Sequence, residues 1–212
     1  MKRQTEILYA AYEKMNEVFF NGAVPKPVIT IQTKGKHLAY GWASVFPIWV
    51  GEEKFHELNI SAEYANRPFI DIMGTVLHEL VHLNHIAQGI QDCSRGGTYH
   101  NKKFREGAEA VGLIVDYREK YGHAFTKVGD DLAETIKSWG LDETVFDVAR
   151  MDFATQPAKG TDKEGEDVNP KTGTKVRKTN SIKYTCPTCG AIVRATKELN
   201  IECGDCNVAF VA

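Results

Sequence analysis

The chain has 212 residues, room for one substantial core plus a small accessory module, since domains commonly run to about 100 to 200 residues. Hydrophobic content of 42% and charged content of 25% are ordinary for a globular protein, and no run approaches the roughly 18 apolar residues of a membrane span, which excludes an integral membrane role. The formal net charge of −2 hides an asymmetry: residues 1–167 hold 19 basic and 25 acidic side chains, residues 168–212 hold 7 and 3, so −6 faces +4.

Ile7, Leu8, Ala11, Tyr12, Met15, Val18 and Phe19 recur at helical spacing, which predicts a helix over 4–20 with one buried face. The early Lys2-Arg3 pair does not open a secretory leader, because Glu6, Glu13, Lys14 and Glu17 interrupt any apolar core. A cytoplasmic or nucleoid-associated setting is therefore expected, with the five cysteines reduced or metal-bound and not disulfide-paired. NGAVPKP (21–27) stops the helix. Val28, Ile29 and Ile31, then YGWASVFPIWV (40–50), then ELNIS (57–61) are rich in β-branched and aromatic residues and predict a small three-stranded sheet.

Pro68 suits an early helical position after Asn66, the apolar residues from Phe69 to Ile86 keep a helical period, and Gly89 is a plausible terminator. A Gly-rich stretch, GIQDCSRGGTY (89–99), separates this helix from another that begins near Asn101 and runs through FREGAEAVGL. It reads either as a surface loop or as a lid over a site. Further helices are expected at 130–138 and 142–150. Residues 116–155, Trp139 included, offer only a packing role.

HELVH (78–82) lies within the second of these helices. Residues four apart on a helix are separated by about 40° and about 6 Å along the axis, so His78 and His82 present two imidazoles to one zinc ion. Glu79 is displaced to the flank of that face, where it can hold water on the metal and take its proton without ligating. A catalytic zinc takes three protein ligands and leaves one position open, so a third donor is needed. His85 and His100 are the candidates. Three donors on one straight helix would line up along its axis, whereas His100 follows a loop long enough to return over the ion; geometry favours His100, leaving His85 a supporting or surface position. Cys93 reads as a small packed hydrophobe, and Tyr99 as a packing residue or an oxyanion donor.

FFNGAVPKPVITIQ, GWAS, LNIS, HELVHLNH and YHNKKFREGAEAVGL occur in that order over about residues 5–115. This succession resembles the blocks of the SprT-like zinc metalloprotease family. The resemblance implies a zincin-like α+β domain with His78, His82 and His100 as zinc ligands and Glu79 as general base and acid. It also implies a substrate class, proteins crosslinked to or tightly bound on DNA, cleaved with little sequence preference. The segment between His82 and His100 is somewhat longer than the family commonly shows.

Residues 156–181 are polar with almost no large apolar side chains and read as a linker between a domain at 1–155 and a module at 182–212. Within the module, Cys186-x-x-Cys189 and Cys203-x-x-Cys206 form two knuckles separated by 13 residues, the spacing of a tetrahedral Cys₄ zinc ribbon. Four thiolates leave no site for water, so this second zinc is structural and supplies folding free energy to a unit too small to bury a core; a redox pair is the alternative. VNPKTGTKVRKTNSIK (168–183) has five basic residues and no acid, which suits DNA phosphates or a plain solvated linker. The whole reads as a zinc endopeptidase acting on protein substrates on DNA. The rival is a nucleic-acid-associated binding protein whose two zinc sites are both structural, and a third reading is a zincin acting on free peptides.

Overall fold

The structure, a computed structural model, describes residues 1–33, 39–151 and 181–212. The chain divides into two units, Met1–Gln156 and Pro157–Ala212. Nearly all of the expected linker, and of the basic run that overlaps it, lies outside the described residues. The fold is mixed α+β, with four α-helices among the described residues, none long and apolar enough to cross a membrane.

Helix α1 (Lys2–Phe20) buries Leu8, Ala11, Tyr12 and Met15 as the sequence predicts, whereas Val18, expected in the same row, is exposed. Asn21 closes it in the left-handed region, and the Asn16 side chain holds the turn by accepting from Val24 N (3.0 Å) and donating to Val24 O (2.9 Å). Strand β1 (Val28–Gln32) follows. Next come β2 (Gly41–Ala43), a hairpin of β3 (Trp49–Val50) and β4 (Lys54–Phe55), and β5 (Glu57–Ser61). The expected three-stranded sheet has order β1-β5-β2. β5 lies in the middle, parallel to β1 and antiparallel to β2, and every residue of it is buried.

Helix α2 (Phe69–Ala87) runs through the core, with Ile72, Met73, Val76, Leu77 and Leu80 fully buried. Pro68 caps it from outside the first turn and accepts at its carbonyl from Asp71 N and Ile72 N. The far end is a Schellman arrangement, in which Ile90 N donates to His85 O (2.8 Å) and Gly89 N to Ile86 O (3.0 Å). Gly89 has φ +69°, a conformation glycine adopts without the Cβ penalty. The chain therefore doubles back along the helix it has just left.

That return carries regular structure. Residues 93–100 form a short hairpin, β6 (Cys93–Ser94) and β7 (Tyr99–His100), that delivers His100. Helix α3 (Lys102–Ala110) begins at Asn101, whose side chain accepts from Lys103 N (2.8 Å) and Phe104 N (3.3 Å). The sequence reading carried this helix through Leu113; it stops at Ala110, because Gly112 takes φ +84° and turns the chain into a strand.

β8 (Leu113–Arg118) and β9 (Gly122–Val128) form an antiparallel hairpin in a four-stranded sheet of order β6-β7-β9-β8. The sequence reading missed it. Helix α4 (Asp130–Ser138) lies where expected, whereas the helix expected at 142–150 is replaced by a single 3₁₀ turn, Glu143–Val145. There the Asp142 side chain accepts from Thr144 N, capping one turn only. Phe146 leaves helical geometry and packs on Phe69 with ring centroids 5.9 Å apart.

In the second unit, β10 (Ile182–Thr185) pairs with β11 (Ile192–Ala195), and β12 (Glu202–Cys203) with β13 (Val208–Ala209), both antiparallel. Each cysteine pair lies at or beside the turn of one hairpin, with Cys203 the last residue of β12, and Thr185 bridges to Val211.

Candidate metal centres

His78 and His82 project from consecutive turns of α2, and β7 brings His100 against them. Nε2 of His78 lies 3.3 Å from that of His82 and 3.2 Å from that of His100, and the His82–His100 separation is 3.0 Å. Tetrahedral bonds of about 2.0 to 2.1 Å to zinc require nitrogens roughly 3.3 Å apart, so the donor set fits such an ion. Two of the rings are disposed to stay neutral. Burial first, and the neighbouring histidines second, push His78 well below its ordinary value and His100 down to about 3, which leaves lone pairs on the nitrogens.

Partners on the other ring nitrogens fix how the rings stand. His78 Nδ1 lies 2.9 Å from Thr126 Oγ1 on β9. His82 Nδ1 lies 2.7 Å from Asp92 Oδ2, and His85 Nδ1 lies 2.9 Å from the same oxygen. Despite burial, the two histidines hold Asp92 well below the usual carboxylate range. Ionised, it can only accept, so both imidazoles present their Nδ1–H to it, and His82 turns its Nε2 to the centre. Asp92 is itself anchored, its carbonyl accepting from Asn101 N at 2.9 Å. Phe104, fully buried, forms the floor, with its ring 4.5 to 4.6 Å from those of His82, His78 and His100.

The structure brings together His78, His82 and His100, and it keeps His85 out of the triad. His85 is buried, not on the surface: it leans on α3, where a Cβ at Gly107 would come 2.6 Å from its ring. Glu79 is buried beside the triad, and burial raises its carboxyl to about 7 against the opposing pull of His82 and the Ala43 backbone. Ala43 is the last residue of β2, so the edge of the sheet meets the helix at this carboxylate. Cys93 Sγ lies 3.9 Å from His82 Nδ1, and burial and Asp92 push its thiol far up, so it packs as a neutral group. Alternation along β7 turns Tyr99 away from His100; its hydroxyl meets Tyr117, and the Arg95 guanidinium sits 4.9 Å from its ring.

Sequence reasoning did not single out Asp92, Phe104 or Thr126. An acid ten residues after a histidine is a weak signal, and Thr126 lies 48 residues beyond His78. Asp92 alone had a cue, in the tight Gly89 turn that folds its segment back.

In the second unit the sulfurs of Cys186, Cys189, Cys203 and Cys206 lie within 4.8 Å of one another, with Cys189 and Cys203 3.8 Å apart. Four bonds of about 2.3 Å place sulfurs at nearly that separation. The Cys189 backbone amide lowers Cys186 to about 7, which eases formation of the thiolate a metal needs. Both cysteine knuckles thus converge on one candidate metal position.

No family model, curated protein or solved structure matches this chain.

Proposed function

We propose that this protein is a zinc-dependent endopeptidase with a zincin-like catalytic unit, similar to the SprT-like metalloproteases, that cuts proteins bound or crosslinked to DNA. The observation that carries the reading is the convergence of His78, His82 and His100 at 3.0 to 3.3 Å with the Glu79 carboxyl raised to about 7 beside them. A structural site has use for an acid such as Asp92, which orients a ligand's ring, but not for a carboxyl placed like Glu79. A hydrolytic site does, because a base whose pKa lies near the working pH both accepts and returns a proton.

When bound, zinc supplies a Lewis acid that polarises a carbonyl and acidifies water. The chain's own residues do the rest. β2 has β5 on one side and no strand on the other among the described residues, so an extended polypeptide can pair with its backbone, which gives affinity without reading side chains. Glu79 takes a proton from the attacking water and hands it to the leaving amine. Asp92 and Thr126 hold two of the three imidazoles in register, and Phe104 keeps water from behind them. The Cys₄ unit and the basic lead-in supply the attachment to DNA, in a cytoplasmic or nucleoid setting.

The test compares wild type with Glu79→Gln on a DNA-bound protein, with zinc content measured in parallel. Expected are equal zinc loading and a loss of cleavage of about 10² to 10⁴ fold or more. Equal cleavage by both proteins would remove Glu79 from the reaction, and no cleavage by either would return the chain to the class of binding proteins. Cleavage that is indifferent to DNA and to salt would leave a peptidase with no nucleic-acid role.

A further inference from the structure

The segment between β2 and β5 is an arm with an unusual surface. Val45, Phe46, Ile48, Trp49 and Val50 are 61%, 75%, 53%, 42% and 71% exposed, and Pro47 between them is exposed as well. Single exposed apolar residues need no explanation, but a contiguous run of this kind marks a binding surface. Nor is it a loose loop. Ser44 N donates to Glu57 O (2.9 Å), Glu57 N to Ser44 Oγ (2.9 Å) and Ile48 N to Phe55 O (3.0 Å), and Trp49 and Val50 pair with Phe55 and Lys54. Backbone pairing holds these side chains out.

What the arm faces is set by where it starts. It leaves β2 at Ala43, whose backbone touches the Glu79 carboxyl. At about 3.3 Å per residue, Val45 begins within about 7 Å of that point along the chain. A polypeptide paired along the open edge of β2 with its scissile bond at Glu79 therefore carries its neighbouring residues onto the arm. Resting on the endopeptidase reading, we infer that the arm is a binding site for large apolar side chains of an extended polypeptide, so that the enzyme selects protein segments that have lost their fold. Folded proteins bury such side chains and cannot present them in extended form. Backbone pairing at β2 then supplies affinity for any sequence, and the arm supplies the choice between folded and unfolded.

The experiment uses full-length, zinc-loaded Glu79→Gln protein and two short labelled peptides, one with Leu and Phe at alternate positions and one with Ser in their place. The apolar peptide should bind at least about tenfold more tightly. Phe46→Ser/Trp49→Ser should abolish that preference, as should Val45→Ser/Val50→Ser, which guards against a misfolded first variant. Equal affinity for the two peptides, or a preference that survives in both double variants, overturns the inference. So does a wild-type dimer that Phe46→Ser/Trp49→Ser converts to monomer, which would assign the arm to a second copy of the chain. Cleavage by wild-type protein separates the two readings. Preferential binding without cleavage removes the endopeptidase and leaves the binding site, whereas cleavage of both peptides at equal kcat/KM removes the arm's role and leaves the endopeptidase.

Discussion

Asp92 Oδ2 lies 2.7 Å from His82 Nδ1, so the segment that leaves α2 returns to set the tautomer of a histidine on it. The same oxygen meets His85 Nδ1 at 2.9 Å, and the pair of contacts ties the end of the helix to the start of the β6–β7 hairpin. A carboxylate behind a ligating imidazole raises its basicity and fixes its plane.

Asp92→Asn should therefore weaken zinc binding at the histidine site by about 10 to 100 fold while leaving the Cys₄ site loaded. Competition with a chromophoric chelator reads this directly. An unchanged affinity would mean that packing on Phe104 alone orients His82.

Acid should unfold the metal-free protein early. Burial holds His78 and His100 below their unfolded values, His100 at about 3, so the unfolded chain binds more protons than the folded one once the pH falls below about 6.5. The stability these rings contribute is whole above that pH and drains away as the pH falls towards 3. Asp92, held low in the fold, adds a loss of the same sign below about pH 4. Urea midpoints of chelator-treated protein should decline steadily from about pH 6.5 to 4, and less steeply in His100→Gln; a flat profile would show the rings to be hydrated.

Gly107→Ala gives a change of sign to look for. Alanine in place of glycine within a helix ordinarily stabilises by about 1 kcal/mol. Here the new Cβ would sit 2.6 Å from His85 Cε1 and Nε2 and 3.1 Å from Val81 Cγ1, which forces His85 off Asp92. A net destabilisation of about 1 to 3 kcal/mol is expected by urea titration, together with weaker zinc binding at the histidine site.

Cys186→Ser should remove one zinc per chain and unfold the second unit alone. Elemental analysis gives the first readout. Amide NMR gives the second, with resonances of 181–212 collapsing to random-coil positions while those of α2 stay in place. Loss of α2 dispersion as well would show the first unit to depend on the second.

Much of the site could be read in the sequence because helical and knuckle spacings are local. His78 and His82 need only one turn of helix, and each cysteine pair needs only one hairpin. The choice of His100 over His85 followed from the axial geometry of α2, and the structure places His100, not His85, against the other two. What escaped was non-local. Thr126 reaches His78 only because β9 packs against α2, and the β8–β9 hairpin was hidden because its first strand, Leu113–Arg118, alternates weakly, with four of its six residues exposed. The expected helix at 142–150 failed for the converse reason: its apolar residues suit a helix, but Phe146 is held by Phe69 across the core.

A Cβ on Gly122 would collide with the carbonyl of His100, and one on Gly41 would come 2.8 Å from both Asn59 O and Thr75 Cγ2. Gly107 and Gly122 thus sit against His85 and His100, and Gly41 against β5 and α2, and none of the three holds an ion or moves a proton. Over evolutionary time a drifting copy of this gene can lose the shape of the site at any of the three while H-E-x-x-H stays intact. A census of relatives that scores ligands alone would count such lapsed copies as whole.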